Sequence, residues 1–68
     1  MLKIKAEKMK DLEKLGFVEN SYPKNYYVLN GHIAIEPNRN IVVLSKQGEQ
    51  ILKYMEKLNM VKKVVEDE

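Results

Sequence analysis

Apolar side chains recur at three-residue steps near the start of the chain. The residues at these steps are Ala6, Met9, Leu12 and Leu15. This spacing is close to the helical period, and most residues between these positions are good helix formers. Gly16 follows the last periodic residue, where a left-handed C-terminal cap is common. The pattern predicts a first helix over residues 3–15 that ends at Gly16.

A second apolar stripe with helical spacing lies in the C-terminal half of the chain. It consists of Ile51, Leu52, Met55 and Leu58. Ser45 stands before this stripe and is a favourable N-cap residue, so we predict a second helix over residues 46–58. The next segment, residues 60–65 (MVKKVV), is either a short fourth strand at a sheet edge or an extension of this helix. We favour the strand, because edge strands commonly carry lysine.

Between the two predicted helices, three short runs of strand-forming residues alternate with turn-forming residues. The runs are residues 26–29, 32–36 and 41–44. Asn30-Gly31 predicts a tight hairpin, because a type I′ turn needs positive φ at both central residues. Residues 37–40 (PNRN) predict a second turn. The expected fold is α+β in the order α-β-β-β-α, a three-stranded antiparallel meander packed on two helices, with residues 60–65 as an optional fourth strand. All 68 residues are expected to form one small domain.

The two turns also predict the register of the meander. A two-residue turn places Val28 opposite Ile33, and a four-residue loop places Ile35 opposite Val42. One face is then almost wholly apolar and is expected to lie under the helices; it carries Tyr26, Val28, Ile33, Ile35, Val42 and Leu44. The other face carries Glu36 and a predicted interaction surface that consists of Tyr27, Leu29, His32, Ala34, Ile41 and Val43.

This predicted interaction surface contains no lysine or arginine. A sheet face that meets water normally alternates with charged residues, so an apolar face is either covered or exposed as a binding patch. We predict that a second copy of the chain covers it in a homodimer, or that another protein does. The alternative is intramolecular cover by residues 60–65 or by the loop at residues 18–24.

The residues available for chemistry are few. His32 is the one histidine, and Glu36 lies about 13 Å away along the same strand, too far for direct contact. We therefore interpret His32 as a surface or interface histidine. The chain has no cysteine, no glycine-rich phosphate loop and no His-x-x-x-His spacing. The expectation is a protein that is not an enzyme and that has no cofactor and no metal site.

Charge is abundant but mixed, with 12 basic and 10 acidic residues and a net charge of +2. A nucleic-acid-binding protein that uses the sheet or the first helix is the alternative function, and the single arginine disfavours it. No apolar run approaches the roughly 20 residues that a membrane span needs. The N-terminus carries a charge every two or three residues, unlike a signal peptide, so we predict a cytoplasmic protein.

Four segments follow one another along the chain: MKDLEKLGFVE (9–19), YYV (26–28), IAIEPNRNIVV (33–43) and an amphipathic helix. This order resembles small uncharacterised proteins encoded by phages and integrated elements of Gram-positive bacteria. The resemblance spans residues 9–61. It implies a phage-like origin and an α-β-β-β-α layout, and it implies no activity, cofactor or functional residue. The expected role is a small interaction or accessory protein that acts by docking.

Overall fold

The computed structural model describes residues 1–22 and 24–65 of the chain. The protein is a small mixed α/β fold with a four-stranded antiparallel sheet and one α-helix. The strands are β1 (Leu2–Ile4), β2 (Val18–Glu19), β3 (Tyr27–Leu29), β4 (Ile33–Ile35), β5 (Ile41–Val43) and β6 (Val61–Lys63). The helix is α1 (Lys46–Lys57), and two 3-10 helices span Ala6–Asp11 and Glu13–Leu15.

The main sheet has the strand order β2-β3-β4-β5, and β1 and β6 form a two-stranded antiparallel ladder. A bridge between Lys3 and Asn40 joins the two, and the Ile4 N–H donates to the Arg39 carbonyl at 2.9 Å. The β1-β6 ladder therefore continues the sheet past β5. The prediction that residues 60–65 contain a strand is confirmed for Val61–Lys63, which pairs with β1.

The predicted first helix is only partly matched. Its start, Leu2–Ile4, is the strand β1, and the remainder is 3-10 helix. A 3-10 helix has three residues per turn, so side chains three apart lie on one line. The strict three-residue spacing of Met9, Leu12 and Leu15 therefore fits this helix better than the 3.6-residue period of an α-helix. Leu12 is fully buried, and Gly16 ends the segment with a φ of 104°, as predicted.

The second predicted helix is confirmed as α1. The Ser45 side chain accepts a hydrogen bond from the Gly48 N–H at 3.3 Å, which satisfies one free donor of the first turn. Asn59 follows the helix with a φ of 60°, a left-handed conformation that asparagine tolerates. Met60 then turns into the core, where it is buried beside Met55.

The predicted hairpin turn is confirmed, but the predicted register is wrong. Asn30 and Gly31 both have positive φ, 50° and 73°, and the His32 N–H donates to the Leu29 carbonyl at 2.9 Å. The next pair is Leu29 with Ile33, so His32 is an extra residue between the turn and the paired strand. His32 and Ile33 thus both lie opposite Leu29, as in a β-bulge. The observed pairing is therefore shifted by one residue from the predicted pairing.

The second loop shifts the register in the same way. The Arg39 N–H donates to the Glu36 carbonyl at 2.7 Å, and the Glu36 N–H donates to the Asn40 carbonyl at 2.9 Å. Arg39 has a φ of 73°. This is a three-residue loop in which a turn is followed by a left-handed residue. Ala34 consequently pairs with Val42, whereas the four-residue loop predicted from sequence places Ile35 there.

These two shifts decide which side chains enter the core. Paired residues share a face, so Ile33 and Ile35 lie on the inner face together with Tyr27, Leu29, Ile41 and Val43. Ile33 and Ile35 are fully buried against Leu12, Phe17 and Met55, which places the 3-10 helices and α1 on this side of the sheet. The core also includes Ile4 and Met60, from the β1-β6 end.

Gly48 tests the packing of α1 on the sheet. A methyl group added at Gly48 would overlap the carbonyl oxygen of His32 and would lie 2.9 Å from its carbonyl carbon. Helix propensity alone predicts that Gly48→Ala stabilises the protein by about 1 kcal/mol. We expect the opposite sign, a loss of roughly 1–3 kcal/mol, because the backbone atoms of His32 leave no space. Thermal and urea unfolding would measure this change in the free energy of unfolding. Gln50→Ala, an exposed position on the same helix, is the control, and a Gly48→Ala variant as stable as that control would contradict this packing.

Candidate interaction face

The outer face of the sheet, opposite the helices, carries a continuous line of aliphatic side chains. Val18 pairs with Val28, Val28 with Ala34, and Ala34 with Val42. Beyond β5 the same level of the sheet is continued by Met1 and Val64, whose backbones exchange two hydrogen bonds. We call this line the aliphatic row; its members are Val18, Val28, Ala34, Val42, Met1 and Val64.

One end, one inner member and one flank of the aliphatic row are open to solvent, whereas Val64 at the other end is half-buried. Val18 is 67% exposed and Met1 is 55% exposed, and Leu44, two residues after Val42, is 53% exposed. Val28 and Val42 are half-buried, and Ala34, which pairs with both, is fully buried. The centre of the row therefore presents the two valines rather than Ala34, and a row of aliphatic side chains suits the packing of one sheet on another.

A second line of side chains, the polar row, runs beside the aliphatic row. Glu36 bonds to Asn40 through its backbone, Asn40 bridges to Lys3, and Lys3 pairs with Lys62. Tyr26 lies directly before β3, at the level of Glu36. The polar row therefore crosses the sheet from β3 through β4, β5 and β1 to β6. Its members, in that order, are Tyr26, Glu36, Asn40, Lys3 and Lys62. Its acidic residue lies on one side of β5, and its two lysines lie on the other side.

The six predicted surface residues do not form one surface, because the register shift divides them. Tyr27, Leu29 and Ile41 are half-buried against the core, and Val43 lies on the same inner face near Gly48. Ala34 is the one member on the outer face, and His32 lies at the bulge. The prediction of a single surface from these residues is therefore wrong. The sequence-based assignment placed Val28 and Val42 under the helices, whereas the structure places them in the aliphatic row.

Most of the predicted interaction surface lies on the inner face, where the 3-10 helices and α1 pack against it within one chain. Val61–Lys63 extends the sheet beside β1, and Val18–Glu19 extends it beside β3. In the loop that follows β2, Tyr22 is 90% exposed. The strands Val18–Glu19 and Val61–Lys63 therefore widen the outer face.

His32 contacts the start of α1. Its Nδ1 atom lies 2.8 Å from Ser45 Oγ, and its carbonyl oxygen accepts from the Leu44 N–H at 2.8 Å. Because the same Ser45 Oγ atom accepts a hydrogen bond from the Gly48 N–H, the contact with the imidazole orients the helix cap. This geometry joins the hairpin to the helix, and no described carboxylate hydrogen-bonds to the imidazole.

A shallow cleft of about 500 Å³ opens between the hairpin turn and α1. Leu15, Leu29 and Ile51 form its apolar floor, and the polar lining consists of Asn30, His32, Gln47, Gln50 and Tyr54. None of these is a lysine, an arginine or a carboxylate, although such residues make up 32% of the chain. Within residues 1–22 and 24–65, no group of three histidine or acidic residues is arranged to hold a metal ion.

Tyr27 and Glu19 stabilise the edge of the sheet. The Glu19 carboxylate accepts a hydrogen bond from the Asn25 N–H at 2.9 Å, and the Tyr27 hydroxyl donates to the same carboxylate at 3.5 Å. Burial raises the pKa of the Tyr27 phenol above its ordinary value of 10.0, and the carboxylates of Glu19 and Glu13 raise it further. Ionisation of Tyr27 is therefore less favourable in the folded protein than in the unfolded chain.

Comparisons of the chain with protein-family models, with curated proteins and with solved structures found no match. The phage-like origin indicated by the resemblance therefore stays a prediction. Within the described part of the chain, no helix is both long enough and apolar enough to cross a membrane.

The raised pKa of Tyr27 predicts an alkaline loss of stability. Its contribution is fully present below pH 10 and is lost as the pH rises through the higher pKa of the folded state, because ionisation is then easier in the unfolded chain. Tyr27→Phe removes this contribution, so its melting temperature should fall less steeply between pH 9 and pH 11 than that of the wild type. Tyr22→Phe, at the 90% exposed tyrosine, is the matched control. If the melting temperatures of the wild type and Tyr27→Phe fall in parallel over this pH range, ionisation of the Tyr27 phenol does not destabilise the folded protein.

Proposed function

We propose that this protein is a small non-enzymatic interaction protein that self-associates through the outer face of its sheet. The observation that carries the proposal is the aliphatic row, which runs across the sheet on the side opposite the helices. Exposed apolar side chains scattered singly are ordinary, whereas a contiguous set is typical of a binding surface. In a two-fold dimer the same patch serves both partners, so one apolar face suffices.

The composition of the face supports a protein partner. Its centre is free of charge, and its charged residues lie in the polar row at the side, which is the usual arrangement of an apolar interface centre with a polar rim. Glu36 lies in the same row as Lys3 and Lys62, so the rim contains both signs of charge. A surface for nucleic-acid phosphates would be expected to carry basic residues alone.

The small residues in the middle of the face favour close packing of two sheets. Ala34 is flanked by Val28 and Val42, and it is fully buried while the two larger valines are partly exposed. Two sheets that pack face to face lie about 10 Å apart and bury the aliphatic side chains between them. The edges of the sheet do not need to pair in this arrangement, which fits with the lysines on the edge strand β6.

Neighbouring residues on β5 provide the sharpest test, because Val42 faces outward and Val43 faces inward. Val42→Glu should leave the fold intact and weaken self-association about tenfold or more, since a carboxylate would lose its water in the interface. Val43 is 36% exposed, but its Cγ1 lies against Gly48, so Val43→Glu should instead lower the melting temperature by disturbing the packing there. Sedimentation equilibrium and circular dichroism of the wild type and both variants would measure the two effects.

Leu58→Glu is the control for a new charge on exposed apolar surface, since Leu58 is 42% exposed at the C-terminal cap of α1. It should associate as the wild type does. A wild type that remains monomeric at high micromolar concentration would overturn the proposal, and so would a Val42→Glu variant that dimerises with wild-type affinity.

A further inference from the structure

The distribution of charge on the outer face is asymmetric about β5. On one side, Glu36 directly follows β4; on the other side, β1 contains Lys3 and β6 contains Lys62. Adjacent strands are about 4.8 Å apart, so Glu36 and Lys3 lie about one strand spacing from β5 in opposite directions. A two-fold rotation about an axis along β5 exchanges these two positions.

We infer that two copies pack outer face to outer face with their two-fold axis along β5, so that each Glu36 lies opposite Lys3 of the second copy. This inference rests on the proposed function and adds to it the residues that fix the orientation. The rotation maps β4 onto β1 and β3 onto β6. In the polar row, Tyr26 then faces Lys62, and Asn40 faces its own copy.

The aliphatic row is matched by the same rotation. Val42 faces its own copy, Ala34 faces Met1, and Val28 faces Val64 of the second copy. Apolar side chains therefore meet apolar side chains over five strands, while the acidic residue meets a basic one. Both rows are matched by one axis, which makes the face complementary to itself.

Other positions of the axis lose part of this match. An axis along β4 would place Glu36 opposite its own copy, and like charges at an interface disfavour association. An axis between β5 and β1 would pair Glu36 with Lys62, but it would move the second copy by one strand and leave Val28 without a partner. An axis between β4 and β5 would match all six members of the aliphatic row, but it would place Glu36 opposite Asn40 and Tyr26 opposite Lys3, without an opposite charge for Glu36. The axis along β5 leaves Val18 without a counterpart and combines the opposite charges with apolar contact over five strands.

The lysines of the polar row are suited to receive an external carboxylate. Lys3 and Lys62 are directly paired, and like charges in that position destabilise a sheet. Among the described residues, the only ion pair joins Lys14 to Asp11, so none of these carboxylates neutralises Lys3 or Lys62. Lys3 Nζ donates to the Asn38 carbonyl at 3.2 Å, which holds this ammonium group near the end of β5. Glu36 of a second copy would reduce the repulsion between the two lysines.

Charge reversal with mixed variants tests the orientation. In Glu36→Lys alone, both copies would place lysine against Lys3, and in Lys3→Glu alone, both would place glutamate against Glu36. Each variant should dimerise at least about tenfold more weakly than the wild type. In an equimolar mixture, one copy of each kind forms two attractive contacts, so the mixture should recover dimers of near wild-type affinity. Sedimentation equilibrium of the separate and mixed variants gives the comparison, with circular dichroism to confirm that each is folded.

Two controls make the result specific. Glu49→Lys reverses an exposed charge on α1, away from the outer face, and should dimerise as the wild type does. Lys62→Glu, mixed with Glu36→Lys, should recover less affinity than Lys3→Glu, because Lys62 faces Tyr26 in this orientation.

If the Lys3→Glu mixture stays monomeric while the wild type dimerises and Val42→Glu does not, the orientation is wrong and the proposed function stands. Better recovery with Lys62→Glu would also overturn the axis along β5. A monomeric wild type would remove the proposed function itself.

Discussion

The extra residue at His32 is the constraint on which the sheet depends. It follows a type I′ turn at Asn30-Gly31 and delays strand pairing by one position, so that Leu29 pairs with Ile33. Because side chains alternate along a strand, this single position sends Ile33 and Ile35 inward and Ala34 outward. The fully buried isoleucines then anchor Leu12, Phe17 and Met55, and through them the 3-10 helices and α1. The outer face acquires its aliphatic row as the direct consequence.

The same residue also fixes the helix. The His32 carbonyl accepts a hydrogen bond from Leu44 and lies so close to Gly48 that α1 has no space for a side chain there. The imidazole contacts Ser45, which caps the helix. The bulge, the close contact at Gly48 and the N-cap therefore form one joint between hairpin and helix. The one histidine of the chain has an architectural role in this joint, and its position at the mouth of the cleft follows from that role.

Local signals in the sequence predicted the local structure well, and they failed where long-range contacts decide. The turn at Asn30-Gly31, the N-cap at Ser45, the helix α1, the left-handed residue Gly16 and the strand at Val61–Lys63 were all predictable. The bulge was not, since it depends on contacts between His32 and residues of α1. The register was also weakly encoded, because β3, β4 and β5 are almost wholly apolar and a slip by one exchanges one apolar residue for another. Strand β1 was missed because its partner β6 lies at the other end of the chain, and the three-residue spacing after it was assigned to an α-helix rather than to a 3-10 helix.

The proposed interface depends on this register more than on any single side chain, because the aliphatic row exists only if Val28, Ala34 and Val42 are cross-strand neighbours. Nuclear Overhauser effects between backbone and methyl protons of the uniformly labelled protein would measure these neighbours directly. The account predicts cross-strand effects between Val28 and Ala34 and between Ala34 and Val42, with the Ile33 and Ile35 methyl groups close to Leu12 and Met55. Effects that instead place Val28 opposite Ile33 and Ile35 opposite Val42 would contradict it, since the bulge at His32 would then be absent.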